Sequence, residues 1–331
     1  EFWSILLSQE DIKVIKIWSG KIRRYFSLKS FFQNVVDVLF KIPLGVVQSV
    51  FLIFFKIKPR LIFSKGGYGA LPVILANRLL RKPLFIHESD VVPGVANRFA
   101  SKKAKKIFTS FPRTEYFKPE QVIITGNPIR QEILGGTKEE AKELFNLTLE
   151  KPVILFLGGS QGAEKINDFL LVVLNKILSE FEIIHQCGNR NFKSVKQESQ
   201  IIISRDLEKY YHLYSFLDER ELKQAFAASD LIISRAGSGI IFEISAAGKP
   251  SILVPLPGSE ANHQAKNAYS YAETGSALVL EEGNLPPNFL MEKLHYLFFH
   301  PQELEKMAKS ALEFSQPLAA KTITRHILEF L

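Results

Sequence analysis

Three times in this chain a short apolar run ends in a glycine turn. Gly66-Gly67-Tyr68-Gly69 follows Leu61-Ile62-Phe63, Gly158-Gly159-Ser160-Gln161-Gly162 follows Val153–Leu157, and Ala236-Gly237-Ser238-Gly239 follows Leu231-Ile232-Ile233. Glycine permits a tight turn and lets backbone N–H groups come close to a ligand. A helix that starts just after the turn adds free N–H donors and the positive end of its dipole, a combination suited to phosphate. No Gly-Lys-Ser/Thr follows any of the three, so none is a Walker A loop, and none completes GxGxxG, which gives dinucleotide binding only weak support. A single turn of this kind reads as a tight connection. Three of them, spread along the chain, favour phosphate-bearing ligands.

Polar groups stand beside these turns. Glu243 lies six residues after Gly237, and a carboxylate there can accept from sugar or ribose hydroxyls. His263-Gln264 follows Val254-Pro255-Leu256-Pro257, where imidazole and amide groups could read hydroxyls or merely cap a helix. His87-Glu88 follows the run Leu84-Phe85-Ile86, where an α/β fold binds its ligands. Arg130 follows Gly126-Asn127-Pro128 and could meet an anion across a cleft.

The elements that must position these groups alternate. Strand-like runs at Leu84–Ile86, Lys106–Thr109, Val122–Thr125, Val153–Leu157, Ile183–His185, Leu231–Ile233 and Ser251–Val254 are separated by helix-like stretches at Pro72–Leu80, Ile166–Ser179, Leu222–Ala228, Ile240–Ala247 and Asn262–Thr274. Continuous apolar runs mark strands buried on both faces, so the pattern predicts α/β domains with parallel sheets. The strand–glycine–helix order restarts after 126–151, which predicts a second doubly wound domain. The last stretch, 301–331, reads as helices that could pack back across the first domain. The 331 residues suit two cores better than one.

Charge is divided unevenly. Residues 1–130 carry 22 Lys+Arg against 8 Asp+Glu, and residues 131–331 carry 20 against 26. A basic half suits an anionic membrane or nucleic acid, or is simply a solvated surface. Within it, 35–58 is crowded with apolar residues, interrupted by Pro43, Gly45, Gln48 and Ser49 and flanked by Lys and Arg. A membrane-spanning helix needs about 20 apolar residues in a row. The uninterrupted runs fall short, so the pattern predicts a segment lying on an anionic bilayer rather than a span. No recognised nucleic-acid motif accompanies the charge. One cysteine, Cys187, precludes an internal disulfide, and the seven scattered His predict no metal site.

Taken in order, Ile17-Trp18-Ser19-Gly20, Gly66-Gly67-Tyr68, Ile86-His87-Glu88, Pro93-Gly94-Val95-Ala96-Asn97, Thr125–Arg130, Gly158–Ala163, Ser234–Gly237 with Glu243, and His263-Gln264 with Asn267-Ala268 resemble one family. It is the MurG family, the lipid I N-acetylglucosaminyltransferases of peptidoglycan synthesis. The resemblance implies a GT-B fold of two Rossmann-like domains facing across a cleft, divided as 1–128, 129–315 and a C-terminal helix at 316–331 that returns to the first domain. It implies inverting transfer of N-acetylglucosamine from UDP onto undecaprenyl-diphosphate-MurNAc-pentapeptide. No cofactor or metal is implied. On the donor side, Leu217 would touch uracil through its backbone and Glu243 the ribose. Ser160, Ser238 and Gly239 would hold the diphosphate, with Gln161 in the same turn and Arg130 nearby, while Gln264 and Asp90 would meet the sugar. On the acceptor side, Gly66, Gly67 and Tyr68 would surround the diphosphate, with Asn97 close by. The enzyme would sit peripherally on the cytoplasmic face of the bacterial cell membrane.

The departures from the family are specific. Asp90 stands where an Asn is usual and Ile240 where a hydroxyl residue is frequent. The family opens on a glycine-rich motif with a His that has no counterpart here, so the first strand and helix of the first domain are expected to be missing, either because the sequence is a piece of a longer chain or because the protein lacks that loop. Glu88 is then the candidate general base. Another GT-B lipid glycosyltransferase, a nucleotide-sugar-binding protein without turnover, and a UDP-N-acetylglucosamine epimerase remain as alternatives.

Overall fold

The computed structural model describes residues 12–21, 27–112, 115–158, 163–259, 262–284 and 287–331. A long helix α1 (Leu28–Val36, a π-type stretch Asp37–Lys41, Ile42–Phe51 and a second π-type stretch Leu52–Ile57) leads into β1 (Ile62–Ser64), α2 (Leu71–Leu80), β2 (Leu84–Glu88), α3 (Val95–Ser101), β3 (Lys106–Thr109) and β4 (Val122–Ile124). The strands lie side by side in chain order and all run parallel. Side chains alternate across a sheet. Ile62, Leu84, Ile86 and Ile107 therefore face one way, into a core with Ile53 of α1, Ile74 of α2 and Ala96 and Ala100 of α3. Phe85 and Phe108 face the other way.

The second sheet is built from α4 (Lys138–Phe145), β5 (Val153–Leu157), α5 (Glu164–Leu178), β6 (Glu182–Gln186), α6 (Phe192–Ile202), β7 (Tyr211–Tyr214), α7 (Glu219–Ala228), β8 (Leu231–Ser234), α8 (Ser238–Ala246), β9 (Ser251–Leu253), α9 (His263–Ala272) and β10 (Ala277–Val279). The strand order is β10-β9-β8-β5-β6-β7, all parallel. From β5 the chain adds strands on one side, then crosses back to add β8 on the other. That reversal is the switch point at which such sheets bind ligands, outside the carboxyl ends of the strands. Apolar layers cover both faces. Helices α10 (Pro287–Phe299) and α11 (Pro301–Phe314) follow. Helix α12 (Ala319–Leu328) then lays Ile323 and Ile327 on Phe85 and Phe108 of the first sheet.

Helix α1 corrects the expectation that its apolar runs are too short to span a bilayer. It is continuous over Ser30–Ile57, 28 residues, and by length and composition is able to cross a membrane. The residues that read as interruptions are accommodated one by one. Pro43 has no N–H, and just before it the helix widens, Ile42 N–H reaching back to Asp37 O. Gly45 is where residue 18 crosses the helix, since a Cβ there would stand 1.9 Å from Trp18 O. Gln48 accepts from Trp18 N at 3.0 Å and donates to Lys16 O at 3.1 Å. Ser49 is buried beside them.

These contacts give a first testable outcome. Losing a glycine from a helix interior gains up to about 1 kcal/mol of helix propensity. The clash with Trp18 costs roughly 1–3 kcal/mol as overpacking and the bulk of valine adds to it. Gly45→Val is therefore expected to lower the melting temperature by a few degrees in a thermal scan. An unchanged or raised midpoint would mean that the crossing at residue 18 does not hold.

Candidate active site

The first wall of the site is the carboxyl edge of the first sheet. Gly66 and Gly67 follow β1 with φ of +78° and +76°, a conformation that favours glycine. A Cβ on Gly66 would meet the Asn97 amide at 2.7 Å, whereas beside Gly67 the space is open. Tyr68 stands exposed at the start of the turn into α2.

Glu88 ends β2 and is buried. Its carboxylate accepts from Asp90 N at 3.1 Å, Gly94 N at 3.3 Å and Asn97 Nδ2 at 2.8 Å. Burial nevertheless raises its pKa above the ordinary carboxylate value, against the pull of those three donors. Asn97 Nδ2 also donates to His87 O, and Asn97 Oδ1 is buried with no partner among the described residues. His87 is fully buried, lies 3.2 Å from Gly126 O through Nε2, and is held neutral, its pKa lowered to about 4 by burial and then by Lys65. Lys65, Gly67, Glu88, Asp90, Asn97 and, from the second domain, His263 line a cleft of about 200 Å³.

The opposite wall is the carboxyl edge of the second sheet. Helix α8 starts at Ser238 on Gly237, with no side chain capping its first turn. Its N–H donors are thus unclaimed by a cap, and a Cβ on Gly237 or Gly239 would meet nothing within 4 Å. Within α8, Glu243 is buried and Arg130 grips both its oxygens, Nε to Oε1 at 2.9 Å and Nη2 to Oε2 at 3.1 Å. The pair raises the guanidinium's pKa further. Leu217 is buried, and its N–H is taken by Gln186 Oε1 at 3.1 Å, which leaves its carbonyl as the backbone group for a ligand. Gln264 Oε1 accepts from Leu256 N at 3.0 Å, leaving the NH₂ end of the amide. Ile240 packs against the apolar layer below. Ser160 and Gln161 lie outside the described residues.

The two walls are tied together by contacts that sequence reasoning did not foresee. Asn267 of α9, fully buried, donates to Asp90 Oδ1 at 2.7 Å and accepts from Val91 N at 2.9 Å. Asp90 therefore bridges domains in this structure. Phe111 of the first domain packs edge-on to Phe242 at 5.3 Å in an apolar cluster shared with Tyr271 and Phe314. Gln316 fills the space where a Gly126 side chain would project. Lys65 was also missed. Its only sequence signal is a cation placed between a strand and a Gly-Gly pair.

Residues 4–109 match the glycosyltransferase family 28 N-terminal domain, and residues 153–323 match the glycosyltransferase family 28 C-terminal domain. A protein of Clostridium botulinum (strain Langeland) is 38% identical over 313 residues, covering 93% of this chain and 83% of its own length. It is named UDP-N-acetylglucosamine--N-acetylmuramyl-(pentapeptide) pyrophosphoryl-undecaprenol N-acetylglucosamine transferase. A protein of the same name from Clostridium tetani is 35% identical over 308 residues, 92% of this chain and 82% of the relative. The crystal structure of Acinetobacter baumannii MurG superposes with a TM-score of 0.74 at 26% identity, covering 99% of this chain and 87% of that one. At 18% identity, the UDP-GlcNAc 2-epimerase of Neisseria meningitidis shares the fold, with a TM-score of 0.64 and 99% and 88% covered.

Proposed function

The chain belongs to glycosyltransferase family 28, and on that footing we propose that it transfers N-acetylglucosamine from UDP-N-acetylglucosamine onto lipid I, the undecaprenyl-diphosphate-linked MurNAc-pentapeptide, to give lipid II. The observation that carries this reading is the pairing of two ligand edges across one cleft. On the donor side, the uncapped start of α8 at Ser238 and Gly239 suits a diphosphate, and Glu243, one turn further on, suits ribose hydroxyls. Arg130, bound to both oxygens of Glu243, would reach the diphosphate. Leu217 would meet uracil through its carbonyl and Gln264 the sugar through its NH₂, and Ser160 and Gln161 are proposed to contact the diphosphate.

On the acceptor side, Gly66, Gly67 and Tyr68 would take the lipid-linked diphosphate, with Asn97 against them. Glu88, buried and raised in pKa, would accept the proton of the attacking hydroxyl as it reaches the anomeric carbon. Asp90 would act mainly through its bond to Asn267, holding the sugar side of the cleft closed. Release of UDP from UDP-N-acetylglucosamine is the measurement. It should depend on a short-chain lipid I analogue. Turnover that ignores the acceptor, or that occurs equally with a diacylglycerol acceptor, would overturn the reading.

We further propose that the exposed side of α1 rests on the cytoplasmic face of the cell membrane. Phe31, Phe32, Leu39, Phe40, Val47, Phe51 and Phe55 are each more than half exposed. The other side, with Ile42, Gly45, Ser49, Leu52 and Ile53, is buried against the domain. Crossing the bilayer would strip that packing and carry the buried Asp37 and its part-exposed partner Lys41 into lipid, a cost of several kcal/mol. Nearby, Arg78, Arg81, Lys82, Lys102, Lys103 and Lys105 surround an apolar-floored groove of about 670 Å³, which favours anionic headgroups. The paired substitution Phe51→Glu and Phe55→Glu is expected to weaken partition onto anionic liposomes at least tenfold. The wild-type chain should come off membranes in alkaline carbonate. Retention there would favour a span.

A further inference from the structure

Lys65 is the lysine of the cleft lining, set against two carboxylates, Glu88 and Asp90. Its ammonium makes one weak contact, to Asn127 Oδ1 at 3.4 Å, and no ion pair among the described residues. Partial desolvation at the cleft lowers its pKa despite the attraction of both acids. A cation held at a ligand edge and uncommitted to an anion is a site for one.

The glycine turn beside it needs such help. Of the N–H groups at the turn, that of Gly66 is already spent inward on Ser64 Oγ at 3.1 Å, and that of Ala70 on Gly67 O. Gly67 leaves open space on its cleft side, so an anion seated there would sit next to Lys65, with Glu88 and Asp90 repelling it. The donor diphosphate has its own cradle, at the start of α8 with Arg130. We infer that Lys65 is the cationic anchor for the diphosphate of the lipid-linked acceptor, supplying the charge that the Gly66-Gly67 turn lacks. This rests on the lipid I reading above and adds to it a residue that fixes which acceptors bind.

The test measures binding rather than turnover. The full chain, saturated with UDP, is titrated with a short-chain lipid I analogue carrying a diphosphate and with its monophosphate counterpart. Lys65→Met should weaken the diphosphate analogue tenfold to a hundredfold, as expected for loss of a hydrogen bond to a charged group. It should weaken the monophosphate analogue much less and leave the affinity for UDP-N-acetylglucosamine unchanged. Lys65→Arg should recover most of the loss. Equal loss on both analogues, no loss, or a loss confined to the donor would overturn the inference while leaving the enzyme's reading intact. A wild-type chain that binds neither analogue overturns the lipid I reading itself, and the assignment of Lys65 with it. Thermal scans of both variants establish that the fold is retained, Lys65 being on an exposed rim.

Discussion

Glu88→Ala is expected to lower kcat/KM by about a hundredfold to ten-thousandfold, the range of a lost general base. Two roles converge on this carboxylate. It could take the acceptor proton, and it also fastens the turn after β2 through Asp90 N, Gly94 N and Asn97 Nδ2. The pH profile separates them. Burial raises the pKa of Glu88, so the proton is held to a higher pH than on an ordinary glutamate. A base works only when ionised, so activity through Glu88 should fall as pH drops through that raised value and be complete above it. In Glu88→Gln the side chain keeps its size and one acceptor oxygen, so much of the turn should survive. The acidic limb attributable to this group should vanish together with the rate. If Glu88→Gln keeps a tenth or more of the activity with the limb in place, Glu88 is a positioning residue and another group takes the proton.

What the sequence disclosed follows burial. Strands covered on both faces, such as Val153–Leu157 and Lys106–Thr109, are legible as apolar runs, and the structure has them there. The edge strands β7 and β10 escaped. Tyr211-His212-Leu213-Tyr214 is half-buried throughout, and Ala277–Val279 has three residues with only the first fully buried. In β7 polar and apolar residues mix, so the run that betrays a central strand is missing, and β10 is only three residues long. Pro43, Gly45, Gln48 and Ser49 misled for a related reason. Each looks like a break when the helix is read alone, but Pro43 sits after a widened turn and Gly45 and Gln48 are contacts once residues 16–18 lie across the helix.

The site divides the same way. Glu88, Glu243 and Arg130 could be proposed because chain position alone, just after a strand or early in the next helix, puts a side chain at the carboxyl edge of a sheet, where such folds bind ligands. Their partners were not. Arg130 and Glu243 are 113 residues apart, and Asp90 and Asn267 are 177 apart. No periodicity or spacing in the sequence encodes which of many polar residues, far apart in the chain, will meet in the fold. Lys65 is hidden differently. Its significance depends on the Gly66 N–H being spent elsewhere, a fact of turn geometry.

Glu243→Ala should weaken UDP binding about a hundredfold to a thousandfold, the loss of two hydrogen bonds to a charged acceptor. The structure complicates a direct reading of that number, because Arg130 already occupies both carboxylate oxygens at 2.9 and 3.1 Å. Each oxygen has a second lone pair for a hydroxyl, so ribose could share the carboxylate with the guanidinium. In the alternative arrangement Glu243 serves only to aim Arg130 at the diphosphate. The nucleotide itself distinguishes these. If the carboxylate holds the ribose, the wild-type chain should prefer UDP to 2′-deoxy-UDP, and Glu243→Ala should abolish that preference. Arg130→Met should weaken both nucleotides alike and keep the preference, since it removes a phosphate contact and leaves the carboxylate. If Glu243 only aims the arginine, the wild type has no preference to lose, and Arg130→Met combined with Glu243→Ala binds UDP no worse than Arg130→Met alone. A double-mutant cycle in both nucleotides therefore assigns the pair without reference to turnover.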